Sequence, residues 1–222
     1  MFELNSVTRL YRKKRTVVKA LNQVTLIIQR GDFIALRGVS GSGKTTLLMT
    51  IAAMLPPSKG QVLFEHKGNL YDMSARKRAH FRADNVGFIF QMFQLIPYLN
   101  ILENIMIANQ GAFRKYDQTE MASLLARVNL MSRAYHKPEE LSTGEKQRVA
   151  IVRALYNSPK ILLADEPTSN LDEENTHIVL NCLSDFHHNG GTVVMATQDK
   201  AASDFADREV ILQNGQITSD QH

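Results

Sequence analysis

A chain of 222 residues, 44% hydrophobic and with a formal net charge of +4, is long enough for one generous domain or two lobes around a shared core. No stretch reaches the roughly 18 to 20 uninterrupted apolar residues of a membrane helix, and even the apolar region 88–102 is broken by Gln91, Gln94, Pro97 and Asn100, which excludes a spanning helix. The first residues lack an apolar secretory core, and Cys182, the only cysteine, has no internal disulfide partner, so a reducing, cytoplasmic setting is expected. The basic clusters Arg12-Lys13-Lys14-Arg15 and Arg76-Lys77-Arg78 are not interleaved with aromatic residues. Both are therefore expected to be solvated surface, with no nucleic-acid partner; nucleotide phosphates or anionic lipid are alternatives for the first.

In chain order, 2–10 and 24–28 read as strands, and the Arg30-Gly31-Asp32 turn leads into a buried apolar strand at 33–37. A glycine-rich loop and a helix follow, and Pro56-Pro57-Ser58-Lys59-Gly60 stops that helix. Short strands are expected at 61–64 and 86–90. From Asn100, a capping residue, to about 157 the periodicity turns helical, with Asp117 a second cap and Pro138 a break before Ser142. This segment interrupts an α/β pattern that resumes with a strand at 161–164, a helix at 173–188 closed by Gly190-Gly191, and a strand at 192–196. The succession strand, helix, strand predicts a parallel sheet with right-handed crossovers. The tail, 208–218, predicts a hairpin turning at Asn214-Gly215.

Gly38-Val39-Ser40-Gly41-Ser42-Gly43-Lys44-Thr45 satisfies the pattern G-x-x-x-x-G-K-[ST] between a buried strand and a helix. Its glycines let successive backbone N–H groups converge on phosphate oxygens, and the following helix aims its positive end at them. Lys44 supplies a point charge to the terminal phosphates and the Thr45 hydroxyl a ligand for Mg2+, and Thr46 follows as a further candidate phosphate-binding residue. At the end of a second apolar strand stand Asp165, positioned to hold the Mg2+, and Glu166, which can polarise an attacking water. A second metal-shell acid or a helix-capping charge is the plainer reading of Glu166. An acidic pair ending a buried strand is costly without a cation or nucleophile to use it, which favours the catalytic role.

This loop alone leaves kinases, GTPases and many ATPases open. Leu141-Ser142-Thr143-Gly144-Glu145, however, resembles the ABC signature, usually LSGGQ, from which it departs at Thr143 and Glu145. Taken alone, Ser142 with Glu145 is also an ordinary capping box. Gln91 resembles the Q-loop glutamine, Ser169-Asn170-Leu171-Asp172 the D-loop, and Tyr11 the aromatic residue that stacks on adenine. Over essentially its whole length the chain resembles the ATP-binding subunit of an ABC transporter. The resemblance implies an α/β fold: one nucleotide-binding domain, 1–222, with a RecA-like P-loop core and antiparallel β lobe (1–91 and 157–222) and an inserted α-helical lobe (92–156). It implies ATP and Mg2+ as ligands, with Tyr11, Gly38, Ser142, Gly144, Glu145 and Asp172 on the nucleotide and Thr45, Gln91 and Asp165 around the metal. It implies Glu166, Gln198 and Gln91 as the catalytic set. It further implies a second cassette paired head to tail, each site joining Lys44 of one chain to Ser142 of the other. An integral membrane permease would hold the pair at the inner face of the membrane.

The run Gln91-Met92-Phe93-Gln94-Leu95-Ile96-Pro97, with Leu102-Glu103-Asn104, looks most like cassettes of lipoprotein-releasing and macrolide- or peptide-exporting systems. That likeness makes 91–104 the surface contacting the membrane subunit, although an internally packed amphipathic helix explains Ile101, Ile105 and Ala108 equally well. The family pattern expects histidine before Asp199, and this chain has Gln198. An amide exchanges hydrogen bonds but cannot become cationic or shuttle a proton near neutral pH. A natural variant and an engineered trap both remain open, and either predicts normal ATP binding with weak hydrolysis. The rival readings are a soluble ABC ATPase, a non-transport regulator of a cell-envelope system and a catalytically silent binding module.

Overall fold

The structure is a computed structural model that describes residues 1–13, 16–109 and 117–221; Lys14 and Arg15 of the first basic cluster lie outside these residues. β1 (Phe2–Lys13) and β2 (Thr16–Ile28) form an antiparallel ribbon, and β3 (Phe33–Arg37) leaves it for a second sheet. After α1 (Lys44–Ile51) the chain returns as β4 (Lys59–Phe64) on the other edge of β1. α2 (Ala75–Asn85) leads into β5 (Val86–Ile89), and the middle of the chain supplies α3 (Ile101–Met106), α4 (Gln118–Arg127) and α5 (Thr143–Leu155). Then come β6 (Ile161–Asp165), α6 (Glu173–His188), β7 (Thr192–Thr197), α7 (Lys200–Ser203), β8 (Arg208–Gln213) and β9 (Gln216–Gln221).

The second sheet runs β5-β6-β7-β3-β8-β9, parallel throughout except for the terminal hairpin β8–β9, which turns at Asn214-Gly215. β6 and β7 are buried along their full length. Apolar cover on both faces explains why they read as continuous apolar runs rather than as alternation.

Among the described residues, three apolar clusters hold these layers. The first joins the β1 ribbon to the second sheet through Phe2, Phe64, Leu47, Ile51 and Phe81. The second packs Val179, Leu180 and Leu183 of α6 on the opposite face, against Leu162 and Met195. The third lies among α3, α4 and α5, with Ile101, Ile105, Met121, Leu125, Val152 and Tyr156. Each fully buried side chain of this size stabilises by about 1.5–3 kcal/mol. α5 belongs to two clusters, since Ile151 and Ala154 face the second and Val149 and Val152 the third.

Asn100 and Asp117 cap α3 and α4 through side-chain oxygens that accept backbone N–H groups, as their sequence positions predict. Among the described residues no helix is long and apolar enough to cross a membrane. α2 was not foreseen. Only Phe81 and Asn85 of it are buried, so it shows no 3.6-residue apolar stripe; Ser74 caps it, and Arg76-Lys77-Arg78 lies in its first turn.

Candidate functional site

Four strand ends converge. β3 runs into the glycine loop, β5 is followed by Gln91, β6 ends at Asp165 before Glu166, and β7 is followed by Gln198. In an open parallel sheet this carboxyl edge, where loops meet, is where ligands bind. The cavity here measures about 200 Å³ and is lined by Ala20, Ser40, Gly41, Gly43, Lys44, Thr45, Thr46, Gln91, Glu166 and Gln198. Every lining residue except Ala20 was nominated from the sequence; Ala20 sits on β2 and carries no motif. A larger cavity, of about 620 Å³, lies at the opposite ends of β6 and β7 beside Lys160, Thr192 and Phe186, and contains none of the nominated residues.

Local backbone chemistry shapes the loop. Gly43 has φ +111°, and a Cβ there would lie 2.3 Å from the Ala20 carbonyl, so the chain passes β2 too closely for any side chain. Lys44, only 6% exposed, opens α1 and donates from Nζ to the Gly38 carbonyl at 2.7 Å and the Val39 carbonyl at 3.3 Å. Its ammonium also lies 3.2 Å from Glu166 Oε1. Gln198 Nε2 donates to that same oxygen at 3.2 Å. Glu166 holds a left-handed backbone, φ +48°, before Pro167, which disfavours the right-handed helical alternative. Its amide donates to Ala196 of β7 at 2.9 Å, and the Ser169 hydroxyl donates to its carbonyl at 2.9 Å. A non-glycine residue fixed in a sparsely populated region costs about 1–3 kcal/mol and persists where its surroundings over-determine it, commonly at functional sites.

Behind this pair, Thr45 Oγ1 donates to Asp165 Oδ1 at 3.0 Å. Asp165 is buried, and burial pushes its carboxyl pKa up, with Glu166 adding to the rise while Thr45 and Lys44 oppose it. Ser42 Oγ is buried with no hydrogen-bond partner among the described residues. A buried ammonium, an adjacent hydroxyl and carboxylate oxygen, an unpaired buried hydroxyl and a loop that only glycine carries past β2 at position 43 suit a polyphosphate carrying a divalent cation. Two carboxylates at most, with substrate phosphates, is also the usual donor set for Mg2+.

The other nominated residues stand outside this cavity. Gly38 underlies the loop, where a Cβ would meet the Leu212 carbonyl at 2.3 Å. Tyr11, on β1, has Arg9 stacked 5.0 Å from its ring centre. Ser142, Gly144 and Glu145 form the start of α5. There the capping box is complete: Ser142 Oγ accepts from the Glu145 amide at 3.2 Å, and Glu145 Oε2 accepts from the Ser142 amide at 2.8 Å. The Ser142 N–H holds the Glu145 carboxyl below its usual range, helped by Arg133 and Arg148. Asp172 caps α6, and the Asn175 N–H lowers its pKa. Two links escaped sequence reading because both donors look like ordinary helix residues: Gln147 Nε2 donates to the Pro167 carbonyl at 2.6 Å, and Arg153 grips the loop beyond Gln91.

The sequence profile described as ABC transporter matches residues 21–169. An uncharacterised ABC transporter ATP-binding protein of Bacillus subtilis, YvrO, is 36% identical over 225 residues, covering 100% of this chain and 97% of the relative. The macrolide export ATP-binding/permease protein MacB of Chlorobaculum tepidum is 37% identical over 226 residues, but this chain spans only 34% of its length. Among solved structures, the dimeric, ADP- and Pi-bound post-hydrolysis form of the ATP-binding cassette MJ0796 superposes with a TM-score of 0.93 at 35% identity, covering 100% of this chain and 98% of that one.

Proposed function

Because the chain belongs to the ABC transporter family, we propose that it is the motor of a membrane export system, an ATP-hydrolysing cassette that pairs head to tail with a second copy and drives a separate permease. The observation that carries the mechanism is the sharing of Glu166 Oε1 between the Lys44 ammonium and the Gln198 amide at the mouth of the phosphate loop. Lys44 exchanges Glu166 for a phosphate oxygen when nucleotide enters. The freed carboxylate then accepts a hydrogen bond from the attacking water and aligns it with the terminal phosphorus. Thr45 Oγ1 and Asp165 Oδ1 would hold Mg2+, with Gln91 at the rim, and the ion would supply charge neutralisation for the phosphate oxygens. Catalysis rests on positioning and charge neutralisation, with no covalent intermediate.

Ser142 and the first amides of α5 stand apart from the cavity of their own chain, which suits a role at the partner's nucleotide. Dimerisation in the MJ0796 cassette supports the pairing. For the permease, support comes from a cavity of about 430 Å³ lined by Met54, Phe88, Phe90, Gln94, Ile107 and others, and from Met92 and Tyr98 on the segment that follows β5, which are 71% and 74% exposed. The name of the MacB relative, which joins such a cassette to a permease in one protein, points the same way.

Gln198 stays neutral and keeps its grip on Glu166, so it acts as a brake. MgATP-dependent dimerisation and phosphate release are measured for the wild-type chain, Gln198→His and Glu166→Gln. ATP should bring each to a dimer, Gln198→His should raise kcat by about tenfold, equivalent to about 1.4 kcal/mol, and Glu166→Gln should abolish release. Equal rates for wild type and Gln198→His remove the brake. Failure of every form to bind ATP removes the motor.

A further inference from the structure

We propose that Arg153 of α5 is a positioning residue for Gln91, tying the helix that begins at Ser142 to the loop at the nucleotide site; this rests on the motor reading above. After β5 the chain makes an unusual turn. The Phe93 amide donates to the Phe90 carbonyl at 3.1 Å and the Gln94 amide to the Met92 carbonyl at 2.5 Å, with Phe93 at φ +58° and Gln94 at φ +52°. Two consecutive left-handed residues without a glycine, joined by a three-residue turn of the rare positive-φ kind, do not persist through local preference. Arg153 holds them: Nη2 donates to the Phe93 carbonyl at 2.5 Å and Nη1 to the Gln94 carbonyl at 2.7 Å.

The guanidinium is part-buried, and among the described residues no carboxylate lies within salt-bridge distance of it. Burial pushes its pKa down, with no anion offsetting the effect. A desolvated arginine spent on two carbonyls of one loop is costly if packing alone is served, because an apolar side chain fills such a space without that penalty. What the planar fork provides is a fixed distance between α5 and the residues just past Gln91, which lines the phosphate cavity. Arg153 and Gln94 also line the 430 Å³ cavity, so one side chain touches both the nucleotide loop and the outer groove. The grip therefore fixes the backbone just past Gln91 relative to α5.

The test compares wild type, Arg153→Lys, Arg153→Met, Gln91→Ala and the Arg153→Met/Gln91→Ala double variant for kcat, KM for ATP and Tm. Arg153→Met is expected to lower kcat by about tenfold with KM within about twofold. Arg153→Lys, which keeps the charge but not the fork, falls between. In the Gln91→Ala background Arg153→Met should change kcat by less than about twofold, since its effect passes through Gln91. The same loss in both backgrounds, or a loss that follows the folded fraction, overturns the proposal. Hydrogen exchange keeps the outcome separate from the motor reading: if wild type releases no phosphate, that reading fails on its own. In that case faster exchange confined to 90–94 in Arg153→Met still sustains the grip on the loop, whereas unchanged exchange, or loss spread along α5, ends it.

Discussion

Asp165 is only 4% exposed, and its nearest cation is committed elsewhere, since the Lys44 ammonium lies on Glu166 Oε1 and two loop carbonyls. Its pKa is raised from 3.8 chiefly by burial. A carboxyl whose folded-state pKa exceeds its unfolded value binds a proton more readily when folded. Ionised Asp165 therefore costs stability at neutral pH, and the cost fades as pH falls through the raised value towards 3.8. Asp165→Asn keeps an oxygen for the Thr45 hydroxyl and removes the charge. It should stabilise the nucleotide-free chain by about 1 kcal/mol, or about 2–4 °C in Tm for a chain of this size, while abolishing Mg2+-dependent phosphate release. Melts at pH 7 and pH 4 check the sign: the gain should shrink on acidification, and a gain that grows instead rejects burial as the cause. Lys44, Thr45 and Asp165 could be nominated from sequence because loop chemistry fixes residue type and spacing within each motif. The bond from Gln198 to Glu166 could not, since it spans 32 residues and exists only because β6 and β7 are neighbours.

At the scale of elements, the start of α5 is fastened to the start of α6. The Asn175 side chain donates from Nδ2 to both oxygens of Asp172 at 2.8 Å, accepts from Arg148, and fills the space beside Gly144. A Cβ on Gly144 would stand 2.3 Å from Asn175 Oδ1. A side chain at 144 would thus have to displace the Asn175 amide within its own chain, whatever Gly144 does at a partner's nucleotide. Gly144→Ala should cost about 1–3 kcal/mol by overpacking, and Asn175→Ala should relieve much of that cost; urea unfolding of the double-mutant cycle checks it, with strict additivity as the contrary result. Elements with one apolar stripe or full burial were readable in advance, among them β3, α6 and the caps Asn100 and Asp117. β2 was read from Val24, yet it begins at Thr16, because Thr16–Lys19 is exposed and shows no alternation. α2 was hidden for the same reason, since only Phe81 and Asn85 of it are buried. Periodicity reports burial on one face, and an element without such a face leaves no periodic mark.

For the whole molecule, the question is whether each site is built within one chain or across two. Ser142 is exposed at the start of α5 and absent from the lining of its own phosphate cavity, so a head-to-tail pair assigns Lys44 and Ser142 of each site to different chains. That geometry predicts complementation. Lys44→Ala removes the phosphate charge. Ser142→Asp preserves an N-cap, since aspartate caps as well as serine, but sets a carboxylate against the incoming phosphate. Each homodimer should be inactive. In a mixed dimer one site pairs the intact Lys44 of the Ser142→Asp chain with the intact Ser142 of the Lys44→Ala chain, and the other site carries both defects. An equimolar mixture should therefore regain about a quarter of wild-type phosphate release, from half of the dimers with one good site each, and ATP should drive those mixed pairs together in light scattering. Sites built within single chains gain nothing on mixing, because every chain then carries its own lesion. Silence in both release and association would therefore reject the shared site while leaving ATP binding by each wild-type chain intact.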